Sequence, residues 1–323
     1  MVDVVCCRKL RVVPLVAVIA LLGAACGRNA QPPDTSFSVR LLTPQTISGR
    51  WERAAERGSA RIAAELDADV ARVRVDDPAE ERNVLAELGR AEISLVFCIG
   101  GYAETALYSA ATAYPKTVFV MLPGRARAKN VAGISFVPEE VGYLAGAVAG
   151  ALSPDGELGI LRGDGQPWLE PLEKGYVAGF KSRWRQAEVK VGEGPAGAWE
   201  LSSAGVLVAL YSADRASPEV LAAAHNAGIR LVTTDSDLID TESDTVVAAV
   251  EFDIPEAMLR VSREVRDNTF RGRVFAFDLG SGVLDIVVNP VLAPDTRAVA
   301  LEALEEARAE ITAGLVEFDG LGL

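Results

Sequence analysis

The sequence predicts an α/β fold of two units in series, each a parallel sheet flanked by helices. Three observations lead there. From Phe37 onward, short β-rich apolar runs alternate with longer amphipathic stretches. That rhythm restarts after a distinctive apolar stretch at 136–152. The 323 residues also exceed the ~250–300 at which single cores usually stop growing. Runs such as ISLVFCI (93–99) are apolar but for Ser94, as expected of strands covered on both faces.

In order, FSVRLLT (37–43) is the first predicted strand, followed by a helix near 48–67 whose apolar positions include Trp51, Ala54, Ala55 and Ile62. Then come VARVRV (70–75), a helix from Pro78 to about Leu88, ISLVFCI, a helix from about Ala103 to Ala113, TVFVML (117–122) and VAGISF (131–136). The stretch FVPEEVGYLAGAVAGAL (136–152) reads as a helix: Pro138 suits a first turn, and Glu139 and Glu140 favour its positive end. Gly142, Gly146 and Gly150 recur every fourth residue. In a membrane that spacing would suggest a dimer face, but the apolar run 141–152 is far short of the ~20 residues a span needs. The glycines are expected to let this helix lie close against the second unit's sheet.

The second unit has strands at ELGILRG (157–163), VKV (189–191), GVLVALY (205–211) and IRLVTTD (229–235), with helices over 169–184 and 216–227. GEGPAG (192–197) fits the pattern G-x-G-x-x-G, but Pro195 interrupts it and AWELSSAG is not the apolar helix that must follow, so it reads as a loop. The single histidine, His225, is expected on a helix surface, and one histidine without a partner makes no Ser-His-Asp site. A last section comprises VVAAVEF (246–252), a helix 254–268, VFAFDL (274–279), VLDIVV (283–288) and a helix 295–313. It is too short for a third domain and is expected to return and complete both units. In the final helix, the charges of ALEALEEARAE (300–310) form a solvated face, with Glu305 and Arg308 spaced for a weak pair.

Residues 1–25 are expected to be a secretory signal: Arg8, Lys9 and Arg11 precede an apolar segment at 12–22. Gly23, Ala24 and Ala25 directly before Cys26 resemble a bacterial lipobox, which implies acylation of Cys26 and cleavage before it; Gly23 stands where that motif usually has Leu. Residues 26–36 would then be the lipidated cysteine and a polar tether. Removing 1–25 takes away those three basic residues and Asp3, leaving 29 Lys and Arg against 44 Asp and Glu, a net charge of −15. Such acidity excludes nucleic acid as a partner, because phosphate binding needs clustered Lys and Arg. With Cys6 and Cys7 removed and Cys26 acylated, Cys98 is the remaining thiol, so neither an intrachain disulfide nor a multi-cysteine metal site is expected.

The block EEVGYLAGAVAGALSPDGELGILRGDGQPWLEPLEKGYVAGF (139–180) resembles the basic membrane protein family of bacterial lipoproteins, related to purine nucleoside receptors of ABC transporters. Further matches are GGYAETALYSAATAYP (100–115), TDSD (234–237) and AEITAGLVEFDG (309–320). The resemblance implies a type I periplasmic-binding-protein fold, with two doubly wound parallel-sheet lobes joined by three crossings and a ligand in the cleft. Lobe 1 would comprise 37–135 plus about 252–275, and lobe 2 would comprise 136–251 plus about 276–323.

In doubly wound lobes, ligands bind beyond the carboxyl ends of strands. The predicted loops there carry Pro44, Gln45, Thr46 and Ser48, with Trp51 one turn on; Gly100, Gly101 and Tyr102; and Pro123, Gly124 and Arg125. In the second lobe they carry 163–168, with Asp164 and Trp168; Tyr211, Ser212 and Asp214; and Asp235, Ser236 and Asp237. Aromatic faces can stack on a base, and carboxylates accept hydrogen bonds from hydroxyl or ring N–H groups. The candidate ligand-binding set is Tyr102, Trp168, Asp235, Asp237, Gln45, Trp51, Tyr211 and Asp164. Arg125 is the one basic residue among these loops, which disfavours a phosphorylated ligand. The chain departs from the family pattern in its first loop (PQTISGRW), in Leu122-Pro123 where the family often has Asp, in Glu251 where a lysine is frequent, and in YSADRAS (211–217) where the family has a Gly-rich turn.

The resemblance implies a lipid-anchored solute-binding protein of an ABC importer, facing the periplasm or cell exterior. It would capture a small polar ligand, above all a nucleoside, by lobe closure and hand it to a permease. Neither a cofactor nor a metal is expected, and no nucleophile and base pair suggests an enzyme. The alternative is a surface sensor or structural lipoprotein that kept the fold but not nucleoside binding.

Overall fold

Two six-stranded sheets organise the chain. The computed structural model describes residues 37–44, 49–75, 77–100, 104–165 and 168–318; the signal segment, Cys26, the tether, Gln45 and Tyr102 lie outside them. In the first sheet the spatial order is β11 (Val274–Phe277), β5 (Val131–Phe136), β4 (Val118–Leu122), β3 (Leu95–Ile99), β1 (Ser38–Thr43) and β2 (Asp69–Arg74), all parallel. In the second it is β12 (Leu284–Val288), β10 (Val246–Phe252), β9 (Arg230–Thr233), β8 (Val208–Ser212), β6 (Leu158–Arg162) and β7 (Val189–Glu193). Here β12 runs antiparallel to β10, so the second sheet is mixed at one edge rather than wholly parallel. The chain crosses between sheets three times: after β5, after β10 and between β11 and β12.

Alternation along each strand sends side chains to two cores. In β3, Leu95, Phe97 and Ile99 join a large cluster that also holds Val39 and Leu41, whereas Val96 and Cys98 face a smaller one with Leu107 and Phe119. All five β3 residues are buried, which explains the uniformly apolar run. Burial, and Glu81 after it, push the Cys98 thiol far above its ordinary pKa, so this cysteine is an inert core residue. The described residues belong to one compact unit.

The glycine-spaced stretch forms helix α4 (Pro138–Ala151), nearly all of it buried. Its glycine face does not meet the second sheet, as expected from the sequence, but the backbone of helix α5 (Leu169–Arg183). A Cβ added at Gly142 would strike the Leu172 carbonyl, and one at Gly146 the Tyr176 carbonyl. The contact is reciprocal, because Cβ atoms at Gly175 and Gly179 would strike the carbonyls of Glu139 and Tyr143. Two interleaved G-x-x-x-G faces thus bring two helices together inside a core, using the same bare-backbone geometry that pairs helices in membranes. Trp184, just past α5, donates from Nε1 to the Gly150 carbonyl at 2.8 Å and fastens the far end of the pair. Helix α10 (Pro294–Thr312) packs on α4 as well, and Glu310 accepts the Tyr143 hydroxyl hydrogen bond at 2.7 Å.

The segment expected to be a loop at 192–197 is instead the end of β7 followed by helix α6 (Gly194–Ser203). Pro195 stands in its first turn, where the missing N–H costs nothing, so the residue read as a break is a helix start. His225 is exposed on α7 (Pro218–Asn226), its Nδ1 3.0 Å from the Thr245 hydroxyl.

Candidate functional site

Helix α1 (Gly49–Leu66) begins beyond the carboxyl end of β1 and carries Arg50, Arg53, Arg57 and Arg61 along one face. Facing them are Asp235, Ser236 and Asp237 after β9, together with Glu251, Phe252 and Asp253 at the end of β10. The two sides enclose a cavity of about 510 Å³ between the sheets. The positive charge missing from the predicted loops therefore enters the cleft from a helix face, and the expectation of a cleft with little basic character is corrected.

Most of that charge is already matched. Arg53 reaches Asp235 at 2.7 Å and Asp237 at 2.6 Å, and Arg57 lies 3.6 Å from Asp237. Both carboxylates of the TDSD segment thus receive protein arginines, and the pairs tie α1 of the first lobe to the second. Asp235 also accepts the Asp237 N–H through Oδ1, at 3.2 Å, closing the turn. Arg50 reaches further in and donates to the Thr234 carbonyl. Its guanidinium lies 4.7 Å from the Trp168 ring centre and 5.3 Å from that of Phe252. Burial lowers the Arg50 pKa, opposed by Asp214 and Asp235.

A second cavity of about 330 Å³ adjoins the first, with Arg50, Phe252 and Ile254 shared between them. Its walls include Trp51 from α1, Pro123 to Arg125 after β4, Ser135 and Phe136 at the end of β5, Glu139 on α4 and Trp168 before α5. Trp168 meets Phe252 edge to face at 5.7 Å, and its Nε1 donates to Asp214 at 3.3 Å. Trp51 and Trp168 therefore line one aromatic hollow, as stacking on a flat ligand requires.

The structure divides the predicted residues. Asp235 and Asp237 line the larger cavity, and Trp51 and Trp168 the smaller. Tyr211 lines neither: it is 1 % exposed, and its hydroxyl accepts the Ser217 N–H at 2.9 Å. Asp164 lines neither either, and accepts the Arg215 N–H at 2.9 Å within the loops. The sequence reading missed Arg50, Arg53, Phe252 and Glu139. An arginine recurring at 50, 53, 57 and 61 was the available signal for the first two. Phe252 and Glu139 sit on crossing segments, which a search confined to strand-end loops passes over.

Glu251 borders the larger cavity. Although the residue as a whole is exposed, partial desolvation of its carboxyl first, then Asp253 and Asp285, push it above the usual carboxylate range, with Arg57 opposing. A raised acid pKa means the folded state holds the proton more tightly than the unfolded one, so stability falls as pH rises from the ordinary carboxylate range through the folded pKa. Glu251→Gln is expected to stabilise the protein at neutral pH and to leave it unchanged below pH about 4. Melting curves at the two pH values check this; an equal effect at both would exclude the carboxyl's ionisation as the cause.

A family model described as ABC transporter substrate-binding protein PnrA-like matches residues 38–310. The chain is 20% identical over 289 residues to the transcriptional activator protein Med of Bacillus subtilis, covering 85% of this chain and 89% of that protein. It is 33% identical over 116 residues to the ABC transporter nucleoside-binding protein BmpA of Lactococcus lactis, covering 36% of this chain and 32% of that protein. Among solved structures, a transcriptional activator of the comK gene from Bacillus halodurans superposes with a TM-score of 0.74 at 22% identity, over 86% of this chain and 98% of that one. An ABC transporter solute-binding protein from Conexibacter woesei gives 0.71 at 20% identity, over 89% and 100%.

Proposed function

Because the chain belongs to the PnrA-like family of ABC transporter substrate-binding proteins, we propose that it is a lipid-anchored receptor, held at Cys26, that closes its two lobes on a nucleoside and presents it to a permease. The observation that carries this reading is a cleft whose opposite walls come from different lobes. Helix α1 and the loop after β4 stand on one side, and the 234–237 loop and Trp168 on the other. A ligand touching both walls binds the closed form alone, and that differential affinity drives closure. The aromatic hollow suits a base, and the polar cavity beside it suits a hydroxylated sugar. The relative named as a nucleoside-binding protein supports the same ligand class. No step of chemistry is required of any residue.

The test uses fluorophores at Thr112 and Ser203, exposed positions in opposite lobes. Nucleoside should raise energy transfer between them in a saturable manner; a distance that stays fixed at saturating nucleoside contradicts capture by closure.

One observation favours a second reading. The carboxylates that would receive a ligand's hydroxyls are held by Arg53, and Arg50 occupies the faces of Trp168 and Phe252. A cleft satisfied by its own side chains suits a sensor that stays closed until a partner or ligand displaces them. Relatives named as transcriptional activators agree with such a role.

A further inference from the structure

We propose that the smaller cavity is a subsite that reads N–H donors, in which the Glu139 carboxylate and the Ser135 hydroxyl receive the donor edge of a guanine-type base, so that the protein selects guanosine over adenosine. This inference rests on the nucleoside reading above. Glu139 is 4 % exposed, lines the cavity, and has no hydrogen-bond partner on Oε2. Ser135 lines the same cavity, and its Oγ is likewise buried without a partner. A buried carboxylate oxygen left unpaired is costly, so a donor brought by a ligand is most strongly rewarded there. The neighbouring Glu140 is already engaged, accepting the Leu279 N–H at 2.6 Å.

An ionised carboxylate can only accept, so the ligand must offer donors side by side. Guanine presents N1–H and the N2 amino group on one edge, matching the two oxygens of a single carboxylate. Adenine presents its amino group beside the N1 lone pair, which would face a carboxylate oxygen. Guanine's other edge, O6 and N7, is the pattern that arginine reads. Arg125 lines the cavity and forms no hydrogen bond or ion pair among the described residues. The walls include Trp51 and Phe136, which supply stacking faces, and Trp168, over one face of which Arg50 lies. A cationic amine would suit the carboxylate as well, but it would enter beside the Arg50 guanidinium that already covers Trp168 and Phe252.

Calorimetric titration of residues 27–323 with guanosine, inosine and adenosine tests the assignment. The wild type should bind guanosine at least about tenfold more tightly than adenosine, with inosine between, as one charge-assisted hydrogen bond gives. Glu139→Gln keeps the shape, replaces one acceptor by a donor, and should abolish that preference by weakening guanosine and strengthening adenosine, whose N1 lone pair and amino group a carboxamide complements. Ser135→Ala should weaken guanosine several-fold and serves alone should Glu139→Gln not fold. If the base preference of both variants equals that of the wild type, the subsite is wrong while nucleoside binding stands. If the wild type binds none of the three, this assignment and the nucleoside reading fall together.

Discussion

Replacing Gly146 by alanine is expected to destabilise the protein by about 3 kcal/mol or more, the upper end of overpacking costs. On an isolated helix the same change is stabilising, since Gly to Ala in a helix interior gains about 0.5–1 kcal/mol. Packing reverses the sign. At Gly146 the added methyl meets the Tyr176 carbonyl and the Phe180 N, which are backbone atoms of α5 and cannot rotate away. Relief would require the two helices to separate along their whole length, opening a gap in a close-packed core. The stripe contains its own control, because a Cβ at Gly150 would come only to 3.3 Å from the Phe180 carbonyl. Gly150→Ala should therefore cost less than about 1 kcal/mol, whereas Gly179→Ala, facing the Tyr143 carbonyl, should behave like Gly146→Ala. Urea denaturation of the three variants tests the ranking; equal stabilities for Gly146→Ala and Gly150→Ala would refute the close approach of α4 and α5.

Truncating Trp168 to alanine is expected to weaken nucleoside binding by about 10- to 100-fold, the worth of one base–aromatic stack. The same change removes the face under Arg50 and the hydrogen bond to Asp214, so the 168–171 turn and the arginine lose their mutual support. Trp168 is only half-buried, so its loss should cost less stability than the Gly146 change. Tyr211→Phe provides the contrast. It deletes a hydroxyl bonded to the Ser217 N–H in the lobe core, away from both cavities. It should cost about 1 kcal/mol of stability and leave affinity unchanged. Calorimetric titration of both variants separates the roles, and a Trp168→Ala variant with wild-type affinity would remove that ring from the site.

What the sequence disclosed, and what it hid, follows from the range of the forces involved. Strands such as β3 announce themselves because both faces are covered, and each residue must be apolar. Helix α1 shows its buried stripe at Ala54, Ala55 and Ile62. Helix α6 was hidden because GPAGAWELSS has small residues in place of an apolar stripe, and its proline reads as a break when it is a start. The glycine spacing of α4 disclosed close packing but not its partner. The reciprocal spacing of Gly175 and Gly179 on α5 becomes meaningful only once the two helices are side by side.

The same limit applies to the site. Trp51 and Trp168 were legible from the sequence, and so were Asp235 and Asp237, but the arginines that neutralise those carboxylates are 180 or more residues away in the chain. No local pattern encodes which charges meet across a cleft. The departures from the family pattern at Leu122 and Glu251 gain a physical setting as well. Leu122 is a fully buried strand residue, and Glu251 borders a cavity already rich in acid groups.

The central claim is that this cleft takes a nucleoside, and a thermal-shift panel on residues 27–323 with nucleosides, free bases, sugars and amino acids tests it most directly. A nucleoside at 100 times its Kd should stabilise the fold by about 2.7 kcal/mol and raise the melting temperature accordingly. A melting temperature unmoved by every nucleoside but raised by another class of ligand would contradict it.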